Sequence, residues 1–102
     1  MLKFSSNISM MFSEEKDPIK RMQPAKNAGF GAVEYLFVYD MKLDDMARES
    51  DQVGVEWSVI NVPVGEGVKP GPLVAAAPGK ESAWQENVAA ALPYCKTLKP
   101  AN

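Results

Sequence analysis

Histidine is absent from all 102 residues, and cysteine occurs once, at Cys95. Without an imidazole, Ser–His and Cys–His nucleophilic pairs are excluded within this chain, as is a His-ligated metal site. A lone thiol cannot close an internal disulfide, which fits a reducing, cytoplasmic setting. Cys95 itself reads as a small buried hydrophobe, since nothing is present to activate it. Lysine and arginine number 11 against 13 acidic residues, a net charge of −2, and no segment concentrates the basic ones. That disfavours a nucleic-acid partner, because a duplex-binding domain carries a basic patch or stripe. Long apolar runs are also missing. The stretch Met1–Phe12 is broken by Ser and Asn, has no small-residue cleavage site, and falls short of the ~18 apolar residues of a membrane span. Carboxylates remain the only plausible acid–base groups.

What is present is an ordinary globular composition, 46% hydrophobic and 24% charged, enough for one domain or part of one. Three stretches repeat a pattern in which an apolar strand gives way to a loop at a polar residue: Asn7 in SSNIS, Glu34 in AVEYLF and Asn61 in VINVP. Each is 27 positions from the next, the length of a strand–loop–helix–loop unit in a parallel barrel or doubly wound sheet. Functional residues in both architectures lie at the C-terminal ends of strands. Three such units are too few to close a barrel, which takes about 250 residues.

The pattern predicts strands over about 2–10, 32–37 and 56–62 and helices over about 17–28, 43–53 and 80–98. In the first strand Leu2, Phe4, Ile8 and Met10 share one parity, and Lys3, Ser5, Asn7 and Ser9 the other. Asp17-Pro18 starts the first helix and Gly29 ends it, with Pro24 inside it at a cost of about 3 kcal/mol. In the second helix Leu43, Met46, Ala47 and Val53 form the apolar stripe, and Gly54 stops it. The third helix is expected to bury Trp84, Val88, Leu92, Cys95 and Leu98, with Pro93 interrupting it. Between the third strand and third helix, Val64–Gly79 is rich in Gly and Pro and long enough to be a lid or binding loop. Its glycines are not spaced as a phosphate-binding fingerprint. An open three-strand sheet would leave an unpaired edge and an apolar patch on the strands' inner faces.

Four blocks, FSSNISMMF, AGFGAVEYLFVYD, INVPVGEG and APGKESAWQENVAAALPYCKTL, in this order and spacing resemble hydroxypyruvate isomerases. The resemblance covers nearly the whole chain. It implies an α/β fold in which three consecutive βα units with parallel strands form the N-terminal segment, 1–102, of a TIM (β/α)8 barrel of the xylose-isomerase-like superfamily. It further implies interconversion of hydroxypyruvate and 2-hydroxy-3-oxopropanoate through an enediol, which needs a carboxylate base and an electrophile for the oxyanion. In the full-length family that electrophile can be a divalent metal held by later strands, and the paired catalytic glutamates also lie beyond this segment. No catalytic residue and no metal ligand is therefore carried onto this chain, which is expected to be inactive alone.

The resemblance does carry over a substrate-binding mouth for a small hydroxy-oxo acid: Asn7, Glu34, Asn61 and Glu66. Simpler readings stay open for each. Asn7 and Asn61 could satisfy loop backbone groups, Glu34 could pair with a nearby Lys or Arg, and Glu66 could be a solvated loop charge. Where the family's loop carries a Gly-Glu-Arg-Gly run, this chain reads Gly71-Pro72-Leu73-Val74, which removes an arginine suited to an anionic substrate. Alternatives of other classes are a non-catalytic module that forms a homo-oligomer through its open sheet edge, or a segment completed by a C-terminal fragment. A related sugar epimerase or abasic-site endonuclease is a third, the last disfavoured by the acidic balance.

Overall fold

The structure is a computed structural model and describes residues 2–65 and 73–102. Strands β1 (Ser5–Asn7), β2 (Ala32–Glu34) and β3 (Glu56–Val59) form one parallel sheet in the order β1-β2-β3. Helices α1 (Met22–Asn27), α2 (Leu43–Val53) and α3 (Glu81–Leu98) connect or follow them. Ile8, Val33, Trp57 and Ile60 from the strand segments share one apolar cluster with Met22 and Ala25 of α1, Met46 of α2 and Leu98 of α3. Helices therefore cover a single face of the sheet. Chain-order strands with helices on one face make a barrel wall, whereas a doubly wound sheet reverses its strand order at a switch point. The chain is thus three consecutive βα units of a partial α/β barrel.

The opposite face is concave. Ser5 and Ser58, on strands separated by β2, bring their hydroxyl oxygens to 2.7 Å. Two strands away in a flat sheet is about 10 Å, beyond the reach of two serines. The small side chain of Ala32 lies between them in register, opposite Ser5. The concave face carries Ser5, Asn7, Glu34 and Ser58 beside the smaller apolar Ala32 and Val59, so it is more polar than the expected apolar patch. Large exposed apolar side chains sit instead at strand ends and loops, among them Leu2, Phe4, Met10, Leu36 and Phe37.

The strands are shorter than their apolar stretches. Of the parity set Leu2, Phe4, Ile8 and Met10, only Ile8 is buried, together with Ser6. Beyond Ile8 the chain turns at once, since the Asn7 carbonyl accepts from the N–H groups of Met10 and Met11. Pairing along β2 and β3 likewise ends at Glu34 and Val59, short of residues 37 and 62. Residues 17–28 divide into a 3-10 turn at Ile19–Arg21 and then α1. Asp17 does cap this start, accepting from the Ile19 N–H at 3.1 Å. Pro24 consequently falls in the first turn of α1, where the missing donor is an orphan anyway, and the expected penalty disappears.

In α3 the buried residues are Asn87, Ala91 and Leu98, with Tyr94 and Cys95 packed against the core, whereas Leu92 is exposed. The stripe is rotated from the expected one because Asn87 turns inward to bond the loop after β3. Gly29 and Gly54 close α1 and α2 with positive φ of 100° and 80°. Non-glycine residues rarely adopt that region.

Candidate functional site

Asn7 and Glu34 are direct partners in the β1–β2 register, at the last position of both strands. Paired residues of neighbouring strands point to the same face, so both belong to the concave side. The placement of Asn61 depends on an irregularity. Val33 pairs with Trp57, but Glu34 pairs with Val59, leaving Ser58 as an extra residue in β3. Such a bulge reverses the alternation beyond it. Trp57 and Ile60 can then both enter the helix-covered core, and Asn61 joins Val59 and Glu34 on the concave side. Without the bulge Asn61 would point into the core. The Ser58 hydroxyl donates to the Val33 carbonyl at 3.3 Å.

Each residue is held by its own contacts. Asn7 Oδ1 accepts from the Ser9 N–H at 3.0 Å and from the Ser9 hydroxyl. Asn61 Nδ2 donates to the Leu36 carbonyl at 3.0 Å, and the Asn61 carbonyl accepts from the Tyr39 hydroxyl. The backbone-satisfying reading is therefore realised for both asparagines, with one end of each amide left over. The Glu34 carboxylate makes no hydrogen bond or ion pair with any described residue, so no lysine or arginine there claims it. Glu66, together with Gly71 and Pro72 of the departing loop, lies outside the described residues.

Three residues that brace this end carried no signal in the sequence. Arg21 donates from Nε to the Glu15 carbonyl and from Nη1 to the Ile8 carbonyl, both at 2.8 Å, pinning the exit of β1. Asn87, 1% exposed, donates from Nδ2 to the carbonyls of Pro63 at 2.9 Å and Gly65 at 2.7 Å, pinning the exit of β3. Tyr39 packs edge-on against Tyr94 with ring centroids 4.9 Å apart. Desolvation pushes the Tyr39 phenol up to about 12, with Cys95 and Tyr94 adding to the effect. Tyr94 is raised for the same first reason, with Asp40 contributing. An arginine in a helix start, an asparagine in a helix and a tyrosine in a short 3-10 turn (Val38–Asp40) look like surface residues until the loops they tie are known.

At the opposite end of the sheet, a cavity of about 420 Å3 lies between α2, the start of β3 and the end of α3. Ser50, Asp51, Glu56, Trp57, Thr97 and Lys99 line it, and none of the strand-end residues does. Among the described residues no three His, Cys, Asp or Glu side chains converge as a metal site. No helix of the described residues is long and apolar enough to cross a membrane.

No protein-family model matches the chain. It is 35% identical over 97 residues to a putative hydroxypyruvate isomerase of Danio rerio, covering 95% of this chain and 35% of that one. It is 34% identical over 98 residues to the hydroxypyruvate isomerase of Escherichia coli, covering 96% of this chain and 38% of that protein. A 2-oxo-tetronate isomerase of Haemophilus influenzae is 33% identical over 98 residues. Among solved structures, one from Brucella melitensis described as an AP endonuclease, family 2, superposes with a TM-score of 0.88 at 37% identity, over 98% of this chain and 38% of that one. The chain thus spans little more than a third of these relatives' length. Over nearly all of its own length it is similar to hydroxypyruvate isomerases, and its three βα units form a partial α/β barrel.

Proposed function

We propose that this chain supplies the substrate-positioning wall of an enzyme that interconverts hydroxypyruvate and 2-hydroxy-3-oxopropanoate. The observation that supports this most is the registered Asn7–Glu34 pair, joined by Asn61, at the strand ends of a chain 31–35% identical to isomerases of small hydroxy-oxo acids. The reaction removes a proton from the hydroxymethylene carbon, passes through an enediol, and returns a proton to the adjacent carbon, with no net oxidation. Binding energy here serves to hold the two carbons and their oxygens in one orientation. In this proposal Glu34 accepts a hydrogen bond from a substrate hydroxyl, and the carboxylates that move the proton come from the remaining strands of the barrel, as does any divalent ion. Glu66 remains a candidate for the loop side of the pocket. The single thiol is in keeping with a cytoplasmic setting.

The test is to incubate the chain with hydroxypyruvate in heavy water and follow both binding and deuterium entry at the hydroxymethylene carbon by proton NMR. The expected result is binding without exchange above the solvent rate. Exchange catalysed by the chain alone would show that the proton-moving group lies within these residues, and absence of binding would refute the positioning role.

The Brucella structure's description supports a second reading, a wall that holds an abasic nucleic-acid site. The net charge of −2 and the lack of a basic segment count against it. Fluorescence anisotropy with a duplex bearing an abasic site distinguishes the two, since the isomerase reading expects no saturable binding.

A further inference from the structure

The two asparagines at the strand ends are held in opposite senses. An amide oxygen has two lone pairs and an amide nitrogen two hydrogens. Both lone pairs of Asn7 Oδ1 are occupied by the N–H and hydroxyl of Ser9, so the end of Asn7 that remains is its Nδ2 donor group. In Asn61 the nitrogen is engaged by the Leu36 carbonyl, and Oδ1 keeps both lone pairs. Neither amide can rotate without cost: in Asn7 a flip sets a donor against the donor N–H of Ser9, and in Asn61 it sets an acceptor against the acceptor carbonyl of Leu36. Between them in strand order stands the carboxylate of Glu34, unpartnered among the described residues.

We infer that this row, donor at Asn7, carboxylate at Glu34 and acceptor at Asn61, is a polarity code that fixes which way round a hydroxy-oxo acid enters. The inference rests on the positioning role proposed above and gives that role a direction. Asn7 donates to an oxygen that only accepts, a carbonyl or carboxylate oxygen. Hydroxypyruvate has one hydroxyl hydrogen, which Asn61 Oδ1 or the Glu34 carboxylate accepts, and both acceptors are filled only by the enediol, which has two hydroxyls. A compound with an oxo group or carboxylate at one end and a hydroxyl at the other satisfies Asn7 and one of the two acceptors, while one lacking the hydroxyl leaves both Asn61 Oδ1 and Glu34 facing it with no donor. Reversing the molecule would set a carboxylate against Glu34, so like charge rejects the wrong orientation. The strand-end row therefore selects α-hydroxy carbonyl acids over simple oxo acids of equal charge.

Two measurements on the whole chain test this. In the free protein, the side-chain NH2 of Asn61 should show at least one slowly exchanging hydrogen with a small temperature coefficient, and that of Asn7 should exchange freely. The reverse assignment overturns the inference whatever the protein binds. Titration with hydroxypyruvate should then shift the Asn7 NH2 resonances, and pyruvate, which lacks the hydroxyl, should bind about tenfold more weakly. The substitution Asn7→Asp keeps the acceptor that Ser9 needs and removes the donor, so it should weaken hydroxypyruvate about tenfold or more while leaving the backbone spectrum in place. Equal affinity for the two acids, or an unaffected Asn7→Asp variant, overturns the code while leaving the site reading intact. No binding of either acid, with the free-state amides as described, overturns the positioning role and the substrate code with it.

Discussion

Single side chains decide whether the strand ends keep their shape. Asn87 is the clearest case, because its amide satisfies two loop carbonyls from within the core. Asn87→Ala removes both bonds and leaves buried acceptors unpaired, an expected loss of about 2–3 kcal/mol read as a lower urea midpoint at constant slope. Tyr39 is a milder case. Tyr39→Phe deletes the bond to the Asn61 carbonyl at an expected ~1 kcal/mol. Its phenol also makes stability depend on pH at the alkaline end. The folded value near 12 lies above the ordinary 10.0, so the folded state holds this proton more tightly than the unfolded one. The contribution is fully present below about pH 10 and is lost as pH rises toward 12. Denaturation midpoints of the wild type should fall through that window more steeply than those of Tyr39→Phe. These roles were not legible beforehand, since a polar residue on a helix or loop has the same sequence signature whether it ties a distant carbonyl or faces water. Asn7, Glu34 and Asn61 were legible because a strand ending in a polar residue repeats at a fixed interval.

At the scale of elements, the main adjustment is the bulge at Ser58. Trp57 and Ile60 are both core residues, three positions apart, which an unbroken alternation does not allow. That conflict was present in the sequence as a clue, but only the register of β3 against β2 shows where the extra residue sits. Deleting Ser58 removes the extra residue and leaves Trp57 and Ile60 facing the core and Asn61 the concave side, so that variant is expected to keep cooperative thermal unfolding. Inserting one residue after Val59 should instead turn Ile60 outward and Asn61 inward and abolish it. Ser58→Ala, which keeps the residue count, should lose only about 1 kcal/mol. Pro93 behaves in the opposite sense. It sits exposed inside α3, where it removes a helical hydrogen bond. Pro93→Ala should therefore stabilise the chain by about 1–3 kcal/mol, a gain visible as a raised melting temperature. Pro24, alike in sequence, carries no such penalty because the 3-10 turn before α1 moves the helix start to meet it. Helix phase was the least legible feature, since Asn87 rather than Leu92 faces inward for the sake of a loop that periodicity does not see.

Taken whole, the molecule is a curved wall with two unlike faces. Helices seal the convex face around Ile8, Met22, Met46, Val33 and Trp57, where burying each large side chain contributes roughly 1.5–3 kcal/mol. The concave face is left to serines, Asn7, Glu34 and Asn61, with Ala32 and Val59 between them. Order along the sheet continues past β3, because Asn102 accepts from the Ile60 N–H at 3.1 Å and donates to the Ser58 carbonyl at 3.0 Å, the bonding pattern of a parallel neighbour. The sequential, parallel architecture was foreseeable from the repeat interval, whereas the polarity of the concave face was not, because short strands and a bulge reassign which parity points where.

The most direct check on this account is a backbone nitrogen–proton NMR titration of the chain with hydroxypyruvate. Shifts confined to Asn7, Ser9, Glu34, Leu36 and Asn61, saturating with one affinity, are the predicted result. Shifts centred on Ser50, Trp57 and Thr97 around the opposite cavity, with the strand ends unmoved, would contradict it.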